Sequence, residues 1–377
     1  MTGQTVRPGL EGISVAETRL SRVDGEAGEL VVGGYPIEIL TEHASFEEAV
    51  FLLFEDRLPT GTELDRFRSA LATRRTVGEA VHGVLCRAAE DGDSAMDALR
   101  MGVAAASLGT DADDSREAAK RVVAVVPTIV AAYWRYRQDE SPVDPDPELS
   151  HAANYLYMLT GERPSDDAVG GIETYLTTVI DHGLNASTFT ARTVVSTESD
   201  LVSAATAAVG TLKGPLHGGA PGPVLDMLQS VHDSGDPEGY VRDRLDAGER
   251  LMGFGHRVYR VRDPRAAVLS AAAERFYAGT DADGFYETVE RFESVALDAL
   301  AEHKPDRRLA TNVEFYTAAL LHGVGIPRDL FTATFAVGRA GGWMAHCLEQ
   351  LDDNRLIRPV STYVGATDRT WTPVDRR

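Results

Sequence analysis

The chain has 377 residues, a formal net charge of −21, 43% hydrophobic and 25% charged residues. That length exceeds the usual range of one core and predicts two domains, or one large domain with a smaller partner. The acidic balance excludes a general nucleic-acid binder, whose affinity comes from Lys and Arg on phosphates, and apolar runs such as 121–134 meet Pro127 or a charge well short of a membrane span. No leader-like apolar segment is visible, so the expectation is a cytoplasmic protein. Cys86 and Cys347 fit no metal or redox spacing. The only lysines are Lys120, Lys213 and Lys304. An acidic, lysine-poor chain is what hydrated carboxylates in concentrated salt favour, which predicts a halophilic source.

In chain order, residues 13–40 alternate short β-branched runs with Gly and Asp and predict a few short strands or extended arms. Almost everything later reads helical. Ser45 and Glu48 form a capping-box start, followed by Phe46, Val50, Leu53, Phe54 and Leu58 on one stripe that ends at Pro59 and Gly61. Further helices are predicted at 62–74, 96–108, 114–137 and 149–160, with a Pro and Asp linker at 138–150. The remaining helices fall at 166–180, 187–194, 199–210, 222–233, 237–250, 264–276, 284–303, 312–322 and 327–350. The fold class is all-α, with a few short N-terminal strands.

Three histidines lie beside glycine at element boundaries, where a rigid scaffold holds side chains toward a ligand: His182 in "VIDHGLNAST", His217 in "GPLHGGAPG" and His256 in "GFGHRVYRVRDPR". The other histidines, His151 and His346 among them, carry no such signal. None of the three shows the i, i+4 pairing or Cys/His spacing of a zinc site, so no metal is expected. Around His256 stand Arg257, Arg260, Arg262 and Arg265, a basic stretch in an acidic chain. Permanently charged forked donors of this kind suit an anionic small molecule. Arg339 sits on a small-residue helix face, where a charge needs a partner, and Arg358 lies in "LIRP". Glu314 in "TNVEFY" is open to two readings, a charge at a helix N-terminus or a general base, and spacing alone favours the former.

Together "GPLHGGA", "GFGHRVYRVRDPR", "NVEFY", "LIRP" and the helix with Arg339 resemble the citrate synthase family, in its short archaeal and bacterial form. The resemblance extends to "GLEGISVAET" and "ANYLYMLTG", covering nearly the whole chain. It implies a helical homodimer with a large domain (1–218 and 326–377) and a small mobile domain (219–325). The implied activity is condensation of acetyl-CoA with oxaloacetate to citrate in the tricarboxylic acid cycle, with no cofactor and no nucleic-acid or membrane partner. His217, His256 and Glu314 would be catalytic. His182, Arg265, Arg339 and, from the second subunit, Arg358 would hold oxaloacetate, while Arg260, Gly253, Phe254 and Gly255 would meet CoA. Two alternatives stand beside this: a 2-methylcitrate synthase using propionyl-CoA, and a catalytically weakened CoA-binding paralogue. Glu314 replaces the family's aspartate base, and Gly33, Gly183, Pro221 and Gly222 also depart from the family pattern.

Overall fold

The computed structural model describes residues 6–107, 114–218, 221–256, 258–259, 261–280, 283–305 and 309–377. A three-stranded antiparallel sheet comes first: β1 (Ser21–Asp24), β2 (Glu29–Val32) and β3 (Tyr35–Pro36), in that order. The rest is helical: α1 (Ile37–His43), α2 (Phe46–Glu55), α3 (Gly61–Ala72), α4 (Glu79–Glu90), α5 (Ala95–Ala105), α6 (Ser115–Arg137), α7 (His151–Thr160) and α8 (Asp166–Thr178). There follow α9 (Ala186–Val195), α10 (Leu201–Leu212), α11 (Pro221–Ser234), α12 (Pro237–Asp246), α13 (Pro264–Tyr277), α14 (Asp283–His303), α15 (Val313–Gly323) and α16 (Phe331–Asp352).

The all-α expectation with short early strands therefore holds. The capping box on α2 forms as read, with the Ser45 hydroxyl taking the Glu48 amide and Glu48 returning to the Ser45 amide. The box recurs on α3, and a one-way side-chain N-cap starts α5, α7, α8, α9 and α10, each satisfying an otherwise orphaned amide for about 1 kcal/mol. Two helices differ from the sequence reading. α1 occupies what reads as extended chain, because Ile37 and Leu40 are buried and the helix packs on α8 and α13. α4 gave no signal through the interior Gly83, yet buries Val81 and Leu85 against α5 and α6. The stretch 327–350 opens with a 3-10 turn, Arg328–Leu330, before α16 starts.

α16 is the central element. It packs against α2, α6, α8, α9 and α10, and its residues from Ala336 to Leu348 are all buried. That is possible because small residues let neighbours approach: a Cβ at Gly342 would lie 2.2 Å from the carbonyl oxygen of Ile180. α11 to α15 form a second group packed largely on one another, touching the rest through α13 on α1, α8 and β2, through α15 on α8 and through α11 on α16. Among the described residues no helix is long and apolar enough to cross a membrane.

Candidate active site

Helix ends from both groups of helices converge on α16. His182 lies in the loop from α8 to α9, and His217 in the turn after α10, whose amide donates to the Gly214 carbonyl at 2.9 Å. His256 precedes α13, Arg265 stands in that helix's first turn, Glu314 in the first turn of α15, and Arg339 in mid-α16. The ring centroids of His182 and His256 are 6.0 Å apart, and Tyr259 completes the group with its hydroxyl 3.1 Å from His182 Nε2. Arg265 Nη2 lies 3.5 Å from His256 Nε2. The Arg265 guanidinium is itself buried and holds Asp263 through two contacts, Nε at 3.0 Å and Nη2 at 2.8 Å.

Backbone amides decide which nitrogen of each catalytic candidate carries the proton. The amides of Val258 and Tyr259 donate to His256 Nδ1 at 3.0 and 3.1 Å, and these outweigh the longer 3.5 Å approach of Arg265 to Nε2, so the ring proton belongs on Nε2. At His217, Nε2 faces the Ser187 amide at 3.3 Å and the Ser187 hydroxyl at 2.8 Å; with both donating to it, the ring proton lies on Nδ1. Ser187 is held in place by Trp343, whose indole donates to its hydroxyl at 3.0 Å. Both imidazoles stay neutral near pH 7. Burial brings each down to about 4, with Arg339 adding to the effect at His217 and Arg265 at His256.

The carboxyl of Glu314 goes the other way. Burial lifts it to about 7 against the pull of Arg265 and Arg339, with Asp263 adding like charge. Burial also lowers Arg339 to about 10, opposed by Asp181. Arg339 therefore acts electrostatically on His182, His217 and Glu314 together. Its Nε donates to the Val179 carbonyl at 2.6 Å and its charged head lies 4.7 Å from the centre of the Phe335 ring. No carboxylate among the described residues forms an ion pair with it. Two guanidiniums, two neutral donors and one proton-accepting acid can fix a polycarboxylate and move a proton beside it.

The sequence model of the family described as "Citrate synthase, C-terminal domain" matches residues 9–360. The chain belongs to the citrate synthase family. It is 48% identical over 387 residues to the citrate synthase of Haloferax volcanii, covering 100% of each chain. It is 36% identical over 375 residues to the 2-methylcitrate synthase of Shewanella oneidensis, covering 98% and 97%. In three dimensions it is similar to the citrate synthase of Thermoplasma acidophilum, solved as a ternary complex with carboxymethyl coenzyme A and oxaloacetate: TM-score 0.89, 29% identity, 99% and 100% covered.

Not every family-derived candidate joins this cluster. Arg358 is exposed on the tail that follows α16. Arg257 and Arg260 lie outside the described residues, and Arg262 faces Glu293 at 3.8 Å. Gly253, Phe254 and Gly255 have a visible structural task. Gly255 donates to the Ala310 carbonyl at 2.8 Å, the Asn312 amide donates to Gly253 at 2.9 Å, and Phe254 packs on Phe292 and Phe315. This clamp ties the His256 loop to the start of the Glu314 helix; Gly253, at φ +87, would push a Cβ to 2.9 Å from Phe315. Sequence reasoning missed Asp181, Ser187, Tyr259, Asp263 and His346. Asp263 alone left a signal, as the carboxylate inside "RDPR".

Proposed function

We propose that the chain condenses acetyl-CoA with oxaloacetate and water to give citrate and CoA, entering the tricarboxylic acid cycle as a cytoplasmic enzyme without a cofactor. Glu314 removes a proton from the thioester methyl group. His217 donates from Nδ1 to the thioester oxygen, which meets the charge as it develops. The resulting enol carbon attacks the oxaloacetate carbonyl carbon, whose oxygen receives the Nε2 proton of His256. Water then cleaves citryl-CoA. His182, Arg265 and Arg339 hold the carboxylates of oxaloacetate, Arg358 from a second subunit completes the set, and Arg260 with Gly253, Phe254 and Gly255 receives CoA. Closure of residues 219–325 over the rest excludes water and makes the encounter of two substrates nearly unimolecular.

The observation that carries this reading is the meeting of His182, His256 and Arg265 at one place, with His217 held by Ser187 and the Glu314 carboxyl lifted by burial to about 7. A homodimer fits the tail after α16, where Val364 is 93% and Trp371 81% exposed in the single chain. The test is thiol release in molar KCl with oxaloacetate and either acyl-CoA. Higher kcat/KM with acetyl-CoA is the expected result. Preference for propionyl-CoA would establish the 2-methylcitrate reading, for which the Shewanella relative speaks. Binding of CoA and oxaloacetate with no thiol released would establish the silent paralogue.

A further inference from the structure

A buried polar chain leads away from the site through α16. Asp181, immediately before His182, is fully buried. Its Oδ2 accepts from the Ser21 hydroxyl of β1 at 2.5 Å and lies 3.2 Å from His346 Nε2. Arg192 donates to His346 Nδ1 at 3.1 Å, so the imidazole proton belongs on Nε2, facing the carboxylate. Arg192 is anchored in turn by Glu349 at 2.6 Å and Gln350 at 3.1 Å. Ser21 also accepts from the Gly183 amide at 2.8 Å, so the serine and the aspartate bracket His182 on both sides.

The second oxygen of Asp181 is also buried and lies 3.2 Å from the same His346 Nε2, without the geometry of a hydrogen bond. A carboxylate in that position is costly unless a cation repays its desolvation. His346 favours the charged carboxylate most, and Arg339 adds to it: Asp181 lies against α16 at Gly342, one turn beyond Arg339, whose Nε holds the Val179 carbonyl two residues before Asp181. The groups acting on Arg339 from the packed elements are Asp181, Arg265, Tyr175 and Glu314, together with His182 and His217. Of these, Asp181 is the largest charge opposing its loss of a proton.

We propose that Asp181 is a positioning residue for the oxaloacetate site: its fixed negative charge keeps the Arg339 guanidinium charged and seated, its link to Ser21 holds the backbone at His182, and His346 sets its orientation. The inference rests on the reading of His182 and Arg339 as carboxylate holders. Burial pushes Arg339 down to about 10 against the opposing charge of Asp181, so loss of that charge should lower it further.

Calorimetric titration of oxaloacetate into the full-length protein in molar KCl, between pH 7 and 10.5, tests it. Asp181→Asn should weaken oxaloacetate about tenfold, the worth of one charge-assisted contact, and move the alkaline loss of binding to lower pH. The KM for acetyl-CoA at saturating oxaloacetate should stay unchanged. His346→Leu should behave similarly, whereas His346→Gln, whose amide can accept from Arg192 and donate to Asp181, should restore binding. Asp181→Asn with parental affinity and parental alkaline limit overturns the proposal, as does equal weakening of both substrates with that limit unmoved. If Asp181→Asn does not fold, equal binding by the two His346 variants overturns it. A parental protein that binds no oxaloacetate instead overturns the functional reading, and this inference with it.

Discussion

Glu314 extends one methylene beyond the aspartate expected at its position in the family, and its surroundings suit a base that works near neutrality. A carboxyl held at about 7 is protonated at lower pH and cannot accept the methyl proton. The turnover rate should therefore climb as pH rises from 6 to 8, with an acid limb near 7. Glu314→Gln should lower kcat by at least about 100-fold, the usual share of a positioned general base, and leave oxaloacetate binding intact. A flat rate profile across that range, or a glutamine variant with near-parental kcat, would exclude Glu314 as the base. At this scale His182, His217 and His256 were legible because each stands beside glycine at an element boundary. Asp181, Ser187, Tyr259 and His346 were not, since their roles depend on which side chains face each other across α8, α9, α13 and α16. His346 shows the difficulty: in the sequence it is one polar residue in an apolar helix, and only its contacts with Asp181 and Arg192 give it a task.

Between elements, buried polar groups mark where packing is least settled. His151 opens α7 fully buried, stacked on Phe46 of α2 with centroids 4.9 Å apart, and neither ring nitrogen has a hydrogen-bond partner. Burial lowers it to about 3, with Arg75 adding to the effect. Below its ordinary value of 6.5 the unfolded chain takes up a proton that the folded chain refuses, so this group removes stability as pH falls from 6.5 toward 3. His151→Phe keeps the stack and removes two unsatisfied nitrogens. It should stabilise the protein by about 1 kcal/mol at neutral pH and reduce the loss of stability between pH 7 and pH 5, as read by denaturant unfolding at fixed salt. Lower stability with an unchanged pH dependence would contradict this account. The helices themselves were mostly legible, because caps and apolar stripes agree along α2, α3 and α5 to α10. α1 and α4 escaped because tertiary burial, not a local start signal, holds them.

For the whole molecule, a net charge of −21 and three lysines set the solvent it needs. Surface pairs such as Arg57–Glu63 at 2.6 Å and Arg328–Asp226 at 2.5 Å contribute little once salt shortens the screening length to about 3 Å. The benefit of salt lies instead in quieting repulsion among the excess carboxylates. Dialysis from molar KCl into dilute buffer should therefore cost helical circular dichroism and activity together; full retention of both would remove the halophilic reading. The helical character of the chain was readable at this scale, but the convergence of distant segments on Arg339 was not, since spacing along a chain carries no distance between its helices. That convergence is best tested by a crystal structure with oxaloacetate and carboxymethyl coenzyme A bound. The account predicts oxaloacetate against His182, His256, Arg265 and Arg339, with the carboxymethyl group between His217 Nδ1 and the Glu314 carboxylate, each within about 3 Å. Either ligand seated elsewhere, or Glu314 turned away from the carboxymethyl group in the closed complex, would contradict it.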